Sequence, residues 1–531
     1  MILVIEFLFT ILEGVRIHAL QNRAVLQTQT AVESTFGSYQ RFLWEQYRIL
    51  GRDMQGLEEM MMDMASSSMI SSKEGIDLLN FMPEQIEIAK YQLLTDDNGR
   101  SYIKSVVNYM KEHIGYESAK GIYSRFEAVK NITDKNEVNN LDVEKALESL
   151  HKQEKEISVE SSSYSKDILS LQNSNFVKSL SHLGNAKSFL QDNSFQNSDF
   201  IKNSYVSSKD ILSYRKSYDS TKQKENEKIQ EKGKSILEIG SNLQKMGILE
   251  LVIEDTSILS SECYDSKDKV SKRELLKGTD TNISEIAWID SVLFQQYILN
   301  YFDNYMTSAN NTKPVESSVL SYQVEYVIGR NNRDIENLKE VVSQILAIRQ
   351  ASNMMYLLGD SEKMQMIMTI AGTFGGITAN PVLLEVIKTG LLTAWAFGES
   401  ILDMRALLQG KTIPVVKNKT TWTLEIEQLE NLSTNFLTAK ESKTGMAYED
   451  YLSILLFFQK EEKLAFSAMD LQEAIIRKQK GYEDFQMDRM VTRIVANVNY
   501  QYSFLFLSMQ NLLTYDTQIN HIHTETAFSY W

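Results

Sequence analysis

Apolar residues are concentrated at the start of the chain, where the run from Met1 to Leu12 carries Glu6 inside it and Glu13 at its end. Further along, apolar residues fall mostly three, four or seven positions apart, which is one stripe of a helix. They are Val32, Phe36, Tyr39, Leu43 and Leu50. A helix that ended at Gly51 would be about 75 Å long. The pattern predicts a membrane anchor that continues as an amphipathic stem helix over residues 1-51.

The apolar run is short for a membrane span, because a spanning helix needs about 20 apolar residues. Three interpretations are open: the end of a longer span that begins upstream, a short or tilted anchor that reaches Ile17, or a buried helix of a soluble protein. A cleaved signal peptide fits poorly, since no basic region precedes the run and no small-x-small site follows it. We prefer the first interpretation. It predicts about ten further apolar residues upstream of Met1, preceded by Lys or Arg.

Beyond the stem, helical patterns continue through most of the chain. Region 52-130 has them in KEGIDLLNFMPEQIEIAKYQLL and SYIKSVVNYMKEHIGYESAKGIYSRFEAVKNI. Region 131-284 has few large apolar residues, so we expect an exposed, loosely ordered helical insert. Region 285-531 is predicted to be a packed helical domain that ends with helices in YEDYLSILLFFQKEEKLAFSAMDLQEAIIRKQ and FQMDRMVTRIVANVNYQYSFLFLSM. Alternation in WTLEIEQL, with KTIPVV as partner strand, predicts a small β-hairpin near 411-429. The predicted fold class is mainly α.

An apolar block from Met364 to Leu408 contains an uncharged stretch that is nominally long enough to span a bilayer. Two adjacent glycines and Pro381 interrupt it, and Glu385 and Lys388 follow, so we favour a buried helical hairpin. Later in the block, Glu399 and Asp403 lie on one helix face.

Two carboxylates in apolar surroundings would have raised pKa values, which suits acid–base chemistry. The alternative is that this polar line is solvated, or is neutralised by Arg349, Arg405 or Lys411. We interpret the residues as a structural polar cluster of Arg349, Glu399, Asp403 and Arg405.

The net charge of −15 over 531 residues argues against a sequence-independent nucleic-acid binder, whose surface must neutralise phosphates. The one cysteine, Cys263, excludes an intramolecular disulfide and a cysteine zinc site, but it does not decide the compartment.

The sequence contains no GxSxG elbow, HExxH helix, phosphate-cradling glycine loop or GxGxxG motif. His521 and His523 could bind a metal, but a third ligand at a defined spacing is lacking. We therefore predict no catalytic residue, no cofactor and no metal site. An enzyme that uses Glu399 and Asp403 is the least favoured hypothesis.

Several segments in sequence order carry a family resemblance: ILEGVRIHALQNRAVLQT, FLWEQYRILG, YQVEYVIGR, NLKEVVSQILAIRQASN, AWAFGESILDMRALLQGKTIPVVKNKTTW and YEDYL. They resemble a pseudopilin-like family of Gram-positive bacteria, whose members are similar to large TadE/TadG-type minor pilins of Tad (Flp-type) pilus or secretion assemblies. The resemblance covers roughly residues 1-55 and 285-510. A prepilin cleavage motif is absent.

The resemblance implies a non-enzymatic, membrane-anchored envelope protein with an extracellular ectodomain. Its N-terminal helix would contact the membrane and other pilin-like or Tad-type assembly proteins, with no role for nucleic acid. Glu6, Glu13 and Arg16 would be the anchor and assembly residues, because a carboxylate at the membrane boundary can pair with a basic group of a neighbouring subunit.

Two observations oppose this interpretation. Arg16 and Arg23 directly follow the apolar run, and the positive-inside rule would place them in the cytoplasm. The run itself is also compatible with a soluble helical scaffold or interaction protein whose first helix is buried. That alternative predicts that deletion of residues 1-12 unfolds the protein, whereas the anchor hypothesis predicts a folded, soluble product.

Overall fold

The computed structural model describes residues 2-67, 78-79, 81-113, 247-280, 285-310, 319-373, 381-432, 435-507 and 519-530. It divides into two compact units, each assembled from segments far apart in sequence. Unit 1 comprises Met1–Tyr116, Ser266–Tyr301 and Glu461–Trp531, and unit 2 comprises Glu117–Asp265 and Phe302–Lys460. Most of the predicted insert 131-284 lies outside the described residues, and the described C-terminal region 285-531 is shared between both units.

The chain is mainly helical with a small antiparallel sheet, as predicted. The elements in chain order are α1 (Ile2–Phe36), α2 (Arg41–Tyr47), β1 (Arg52–Asp53), α3 (Leu57–Ser67), β2 (Met82–Leu93), α4 (Asp96–His113), α5 (Ile248–Val252), α6 (Trp288–Tyr301), α7 (Tyr305–Asn310), α8 (Gln323–Gly329), α9 (Asp334–Gly359), α10 (Ser361–Gly372), α11 (Pro381–Leu407), α12 (Tyr448–Phe457), α13 (Glu461–Arg477), β3 (Met490–Ser503) and β4 (Ile519–Ser529). Short 3₁₀ turns lie at Thr256–Ile258, Ile426–Asn431 and Met487–Arg489.

Strand β3 is the centre of the sheet in unit 1. It pairs antiparallel with β2 on one side, where Ile86 faces Val498, and with β4 on the other, where Val498 faces Thr524. The short β1 joins β3 next to β4, with Arg52 opposite Val491. Even-numbered residues of β3 from Ile494 to Tyr500 are buried, as expected for a strand with one face on a core.

Helix α1 covers that face of the sheet along a stripe spaced three and four residues apart. The stripe consists of Glu13, Arg16, Leu20, Ala24, Gln27, Ala31 and Thr35, all of which are buried. Its apolar members join one core with α3 and with the inner faces of β2, β3 and β4. This spacing places the side chains on a single helix face. The second half of α1 is therefore an integral part of unit 1.

The predicted stem helix is shorter than expected, because α1 ends at Phe36 and not near Gly51. Gly37 follows, and the chain then becomes extended at Gln40, whose side chain accepts a hydrogen bond from Leu43 N at 2.8 Å and caps α2. The apolar residues keep their helical spacing across the turn between α1 and α2, so this spacing could not reveal where α1 ends.

Two segments that we predicted to be helical are strands, β2 in MPEQIEIAKYQL and β3 in MVTRIVANVNYQYS. An apolar residue at every second position also recurs at every fourth, so Met490, Ile494 and Val498 fit a helix and a strand equally well. The surplus of β-branched and aromatic residues favours the strand.

The predicted hairpin near 411-429 is wrong. In that range the backbone is irregular apart from an isolated bridge between Ile413 and Met446 and the 3₁₀ turn that begins at Ile426. Burial does alternate from Trp422 to Ile426, but the segment has no partner strand among the described residues. Two backbone N–H groups of this segment donate instead to the carboxylate of Glu399.

Unit 2 is built around α9, which packs lengthwise against α11. The apolar block predicted as a helical hairpin forms two helices, α10 and α11, which also pack on each other. The residues that connect them, 374-380, lie outside the described residues.

Candidate functional site

The first turns of α1 expose apolar side chains on the side of the helix turned away from its buried stripe. Phe7 is 66% exposed and Val15 is 65% exposed. With about 100° of rotation per residue, seven exposed apolar residues share this side. We call them the α1 apolar face: Val4, Ile5, Phe7, Leu8, Ile11, Leu12 and Val15. Exposed apolar groups concentrated on one surface are typical of an interaction site.

A buried ion pair fixes the base of this apolar segment. Arg16 Nη1 donates to Glu13 Oε1 at 2.7 Å, and both side chains are almost completely buried. Arg16 also donates to the carbonyl oxygens of Leu78 and Ser503. The other oxygen of Glu13 accepts the N–H groups of the two residues Leu505 and Phe506, at 3.1 and 2.6 Å. The pair thus ties α1 to the end of β3.

The structure places the three predicted anchor residues in different surroundings. Glu6 is exposed, whereas Glu13 and Arg16 are buried within unit 1 and already hold each other. Beyond this base, Phe9 stacks on Phe506 with 6.2 Å between ring centroids. The resemblance implies pairing with neighbouring subunits for Glu13 and Arg16. Within the structure, both residues hold the apolar segment to its own protein.

Unit 2 contains a buried cluster of two cations and two carboxylates. Arg349 on α9 donates through Nε and Nη2 to Asp403 Oδ2 on α11, at 3.0 and 2.9 Å. Lys417 pairs with the other oxygen of Asp403 at 2.6 Å and also with Glu399. All four residues are buried, and their formal charges cancel.

In the segment predicted to be a hairpin, the carboxylate of Glu399, and not a partner strand, accepts the backbone hydrogen bonds. This carboxylate accepts the backbone N–H groups of Thr423 and Leu424 at 3.0 and 2.6 Å. Burial raises the pKa of Glu399, and Lys417 opposes that effect. Burial acts in the same direction on Asp403, but Arg349 and Lys417 outweigh it, so the pKa of Asp403 is lowered.

The cluster differs from the predicted one by one exchange. Arg405 is buried elsewhere and donates to the carbonyl oxygens of Leu251, Leu432, Asn435 and Leu437. Burial lowers its pKa to about 10. Lys417 takes its place in the cluster, which the sequence did not indicate. The only clue in the sequence is that Lys417 directly follows KTIPVV, a segment that must fold back over Glu399.

Another buried carboxyl in unit 2, that of Glu325 on α8, has no cation beside it among the described residues. Tyr448 Oη and Tyr305 N donate to Glu325 Oε1 at 2.8 and 2.9 Å. Its other oxygen is buried without a hydrogen-bond partner in the described part of the chain. Burial raises the pKa of Glu325 to about 7.

The described residues contain neither a group of side chains that could bind a metal ion nor a helix that could span a membrane. Within them, no three His, Cys, Asp or Glu side chains meet in a way that could hold a metal ion. His521 and His523 lie on the exposed face of β4, next to Glu84 and Asn499 respectively. Among the helices of the described ranges, none combines the length and the apolar character needed to cross a bilayer.

Comparison with known proteins adds a family but no activity. No curated protein and no solved structure matches the chain. Residues 225-502, just over half of the chain, match a family described as a family of unknown function, DUF5702. This match includes the buried cluster of unit 2 and all but the last residue of β3, the strand on which α1 packs. The chain therefore belongs to the DUF5702 family of unknown function.

Proposed function

We propose that this protein is a non-enzymatic, pilin-like assembly subunit that inserts its α1 apolar face into a membrane, in the manner of the TadE/TadG-type minor pilins that its sequence resembles. The observation that carries the proposal is the division of α1 at Glu13 into a shorter and a longer part. The longer part beyond Glu13 packs on an antiparallel sheet, and the shorter part before it presents apolar side chains outward. A long helix that packs partly on a sheet and extends beyond it is also the layout of a pilin, an argument by fold analogy.

The energy available from this face is considerable. Burying a large apolar side chain contributes about 1.5 to 3 kcal/mol, so seven side chains that are about half exposed would contribute roughly 5 to 10 kcal/mol. The segment before Glu13 is about 17 Å long, compared with about 30 Å for the hydrocarbon core. The described segment thus suits partial insertion or packing against other apolar helices.

The base of the segment supports a mechanical role. Glu13 and Arg16 neutralise each other and bind backbone groups at the end of β3. Because hydrogen bonds to charged groups contribute about 1.5 to 3 kcal/mol each, losing the bonds that join Glu13 and Arg16 to Leu78, Ser503, Leu505 and Phe506 makes α1 resist being pulled away from the sheet there. A force applied to the apolar segment would be transmitted to the sheet.

The proposal is tested by flotation of the full chain with phosphatidylcholine vesicles. Uncharged vesicles are chosen because the net charge of −15 would be repelled by anionic lipid. The wild type should float with the vesicles. Phe7→Glu combined with Ile11→Glu should reduce the bound fraction more than about 100-fold, since each substitution exchanges a favourable insertion for an unfavourable one.

Thr10→Glu combined with Gly14→Glu is the matched control. It adds the same two charges to the same exposed helix segment, on the flank of the apolar face, and a Cβ at Gly14 meets no atom within 4 Å. This variant should keep most of the vesicle binding. A wild-type protein that stays in the aqueous fraction, or equal binding by both double variants, would refute the proposal. The soluble-scaffold alternative would then be the better account.

A further inference from the structure

The two outer edges of the sheet in unit 1 differ in how well they are protected against pairing with another strand. The β2 edge is interrupted by three register shifts within the strand and carries Pro83 near its start. Tyr91 is covered by Thr279, whose N–H donates to Tyr91 O at 3.0 Å, and Ile88 N–H donates to the side chain of Glu58. Proline, bulges and covering segments are the devices by which proteins prevent pairing at an edge.

The β4 edge has none of these devices in the described residues. Its pairing with β3 runs without a register shift from Ile519 to Ser529. Tyr530 N–H donates to Thr492 O just beyond the strand, so even-numbered residues of β4 direct their backbone groups at β3. Odd-numbered residues must then direct their N–H and C=O groups outward. Within the described chain, no group bonds those of His521, His523, Glu525 and Ala527.

The side chains on this edge are self-complementary. The odd-numbered residues face the open side of the sheet, and they place a carboxylate, Glu525, two residues from His523. In an antiparallel pair of two β4 strands, residues with outward backbone groups lie opposite each other. If Thr524 lies on the two-fold axis, His523 of each copy faces Glu525 of the other.

We propose that β4 pairs antiparallel with β4 of a second copy of this chain, with His523 opposite Glu525 in both halves of the interface. The neighbouring register, which pairs His521 with Glu525, is less suitable for two reasons. It places His523 opposite His523, and His521 Nδ1 already lies 3.0 Å from Glu84 Oε2 in its own subunit. The proposed register leaves that contact intact and joins the two sheets into one.

Each half of the interface uses both ring nitrogens of His523. Nδ1 faces Asn499 Oδ1 within the subunit, which leaves Nε2 for Glu525 of the second copy. A ring that carries an N–H on each nitrogen donates to both of these oxygens.

The test measures self-association of the full chain by sedimentation velocity over a concentration series. The Phe7→Glu/Ile11→Glu background keeps the α1 apolar face from contributing, so this result is independent of the proposed membrane role. Glu525→Lys should weaken the dimer about ten-fold or more, because opposite charges directly across a strand pair are replaced by like charges at two symmetric positions. Adding His523→Glu to Glu525→Lys should restore it.

Glu87→Lys is the matched control, since Glu87 and Glu525 flank the same residue, Asn497, from opposite sides of β3. It should leave the dimer unchanged. Hydrogen exchange of the peptide 519-529 should slow with protein concentration, because the outward amides become bonded. The proposal is overturned by a monomer at all concentrations, by a dimer insensitive to Glu525→Lys, or by restoration through His521→Glu instead of His523→Glu.

Discussion

Asp403→Asn is the substitution that most directly tests the account of unit 2. Asp403 is completely buried and has a cation against each oxygen, with Arg349 on Oδ2 and Lys417 on Oδ1. The amide removes one negative charge, so a cluster of net charge zero becomes one of +1. It also turns an NH2 group towards the donors of Arg349 or Lys417. The side-chain volume hardly changes, so the effect is electrostatic.

The magnitude follows from two opposing contributions. Each cation attracts a carboxylate at about 4 Å by about 4 kcal/mol at an effective dielectric constant of about 20, or about 8 kcal/mol for both. The desolvation penalty of Asp403, several kcal/mol, disappears with its charge. The difference is a loss of about 3 to 5 kcal/mol, which matches the usual cost of removing one partner from a buried pair. This is a large part of a typical stability of about 5 to 15 kcal/mol.

The assay is hydrogen exchange read by mass spectrometry on peptides of α9 and α11. A loss of about 3 to 5 kcal/mol should accelerate their exchange by about two to four orders of magnitude. Glu336→Gln removes an exposed carboxylate from α9 and should leave exchange nearly unchanged. Arg349→Met combined with Asp403→Leu restores a net charge of zero and should cost at least about 2 kcal/mol less than the sum of the single variants. Acceleration below about ten-fold in Asp403→Asn, or strict additivity in the cycle, would refute the reasoning.

Two further variants test other buried groups. The pKa of Glu325 is raised to about 7 in the folded protein from an ordinary value of 4.5, so the folded state holds a proton that the unfolded state has lost between these values. Stability should therefore fall as pH rises through this window, by up to about 3 kcal/mol, and level off above it. Glu325→Gln should remove this contribution to the fall and unfold at higher urea than the wild type at about pH 8 but not at about pH 5, and identical pH profiles would contradict the assignment. Arg405→Lys keeps the charge but cannot reach the four carbonyl groups of Leu251, Leu432, Asn435 and Leu437 together, so it should cost about 2 kcal/mol in urea unfolding, and a cost near zero would show that these bonds contribute nothing.

The sequence predicted the helical class because long apolar repeats with few prolines leave little choice of secondary structure. It could not predict the position of the sheet. Strand β3 carries apolar residues whose period of two also satisfies a period of four, and its partner β2 lies about 400 residues before it. Pairing between such distant segments leaves no local trace in the sequence.

The polar cluster shows the same limit at the level of single residues. The face shared by Glu399 and Asp403 follows from helix geometry, and a buried carboxylate pair requires a cation nearby. Which cation approaches depends on how 411-429 folds over α11. The alternation in WTLEIEQL correctly marks the buried side chains, but it does not reveal that Glu399 accepts the N–H groups of Thr423 and Leu424. Burial was predictable here, and the bonding partner was not.

The central position of β3 has a consequence for how the protein is made. About 400 residues separate β2 from β3, and at about 5 to 20 residues per second a ribosome needs roughly 20 to 80 seconds to synthesise them. During that interval α1, α3 and β2 emerge without the strand that completes their core, whereas every described segment of unit 2 precedes β3 and can fold in the meantime. Helix α1 is thus synthesised long before it can reach its final contacts with β3. A nascent chain of this protein must keep the apolar helix α1 from aggregating until β3 leaves the ribosome.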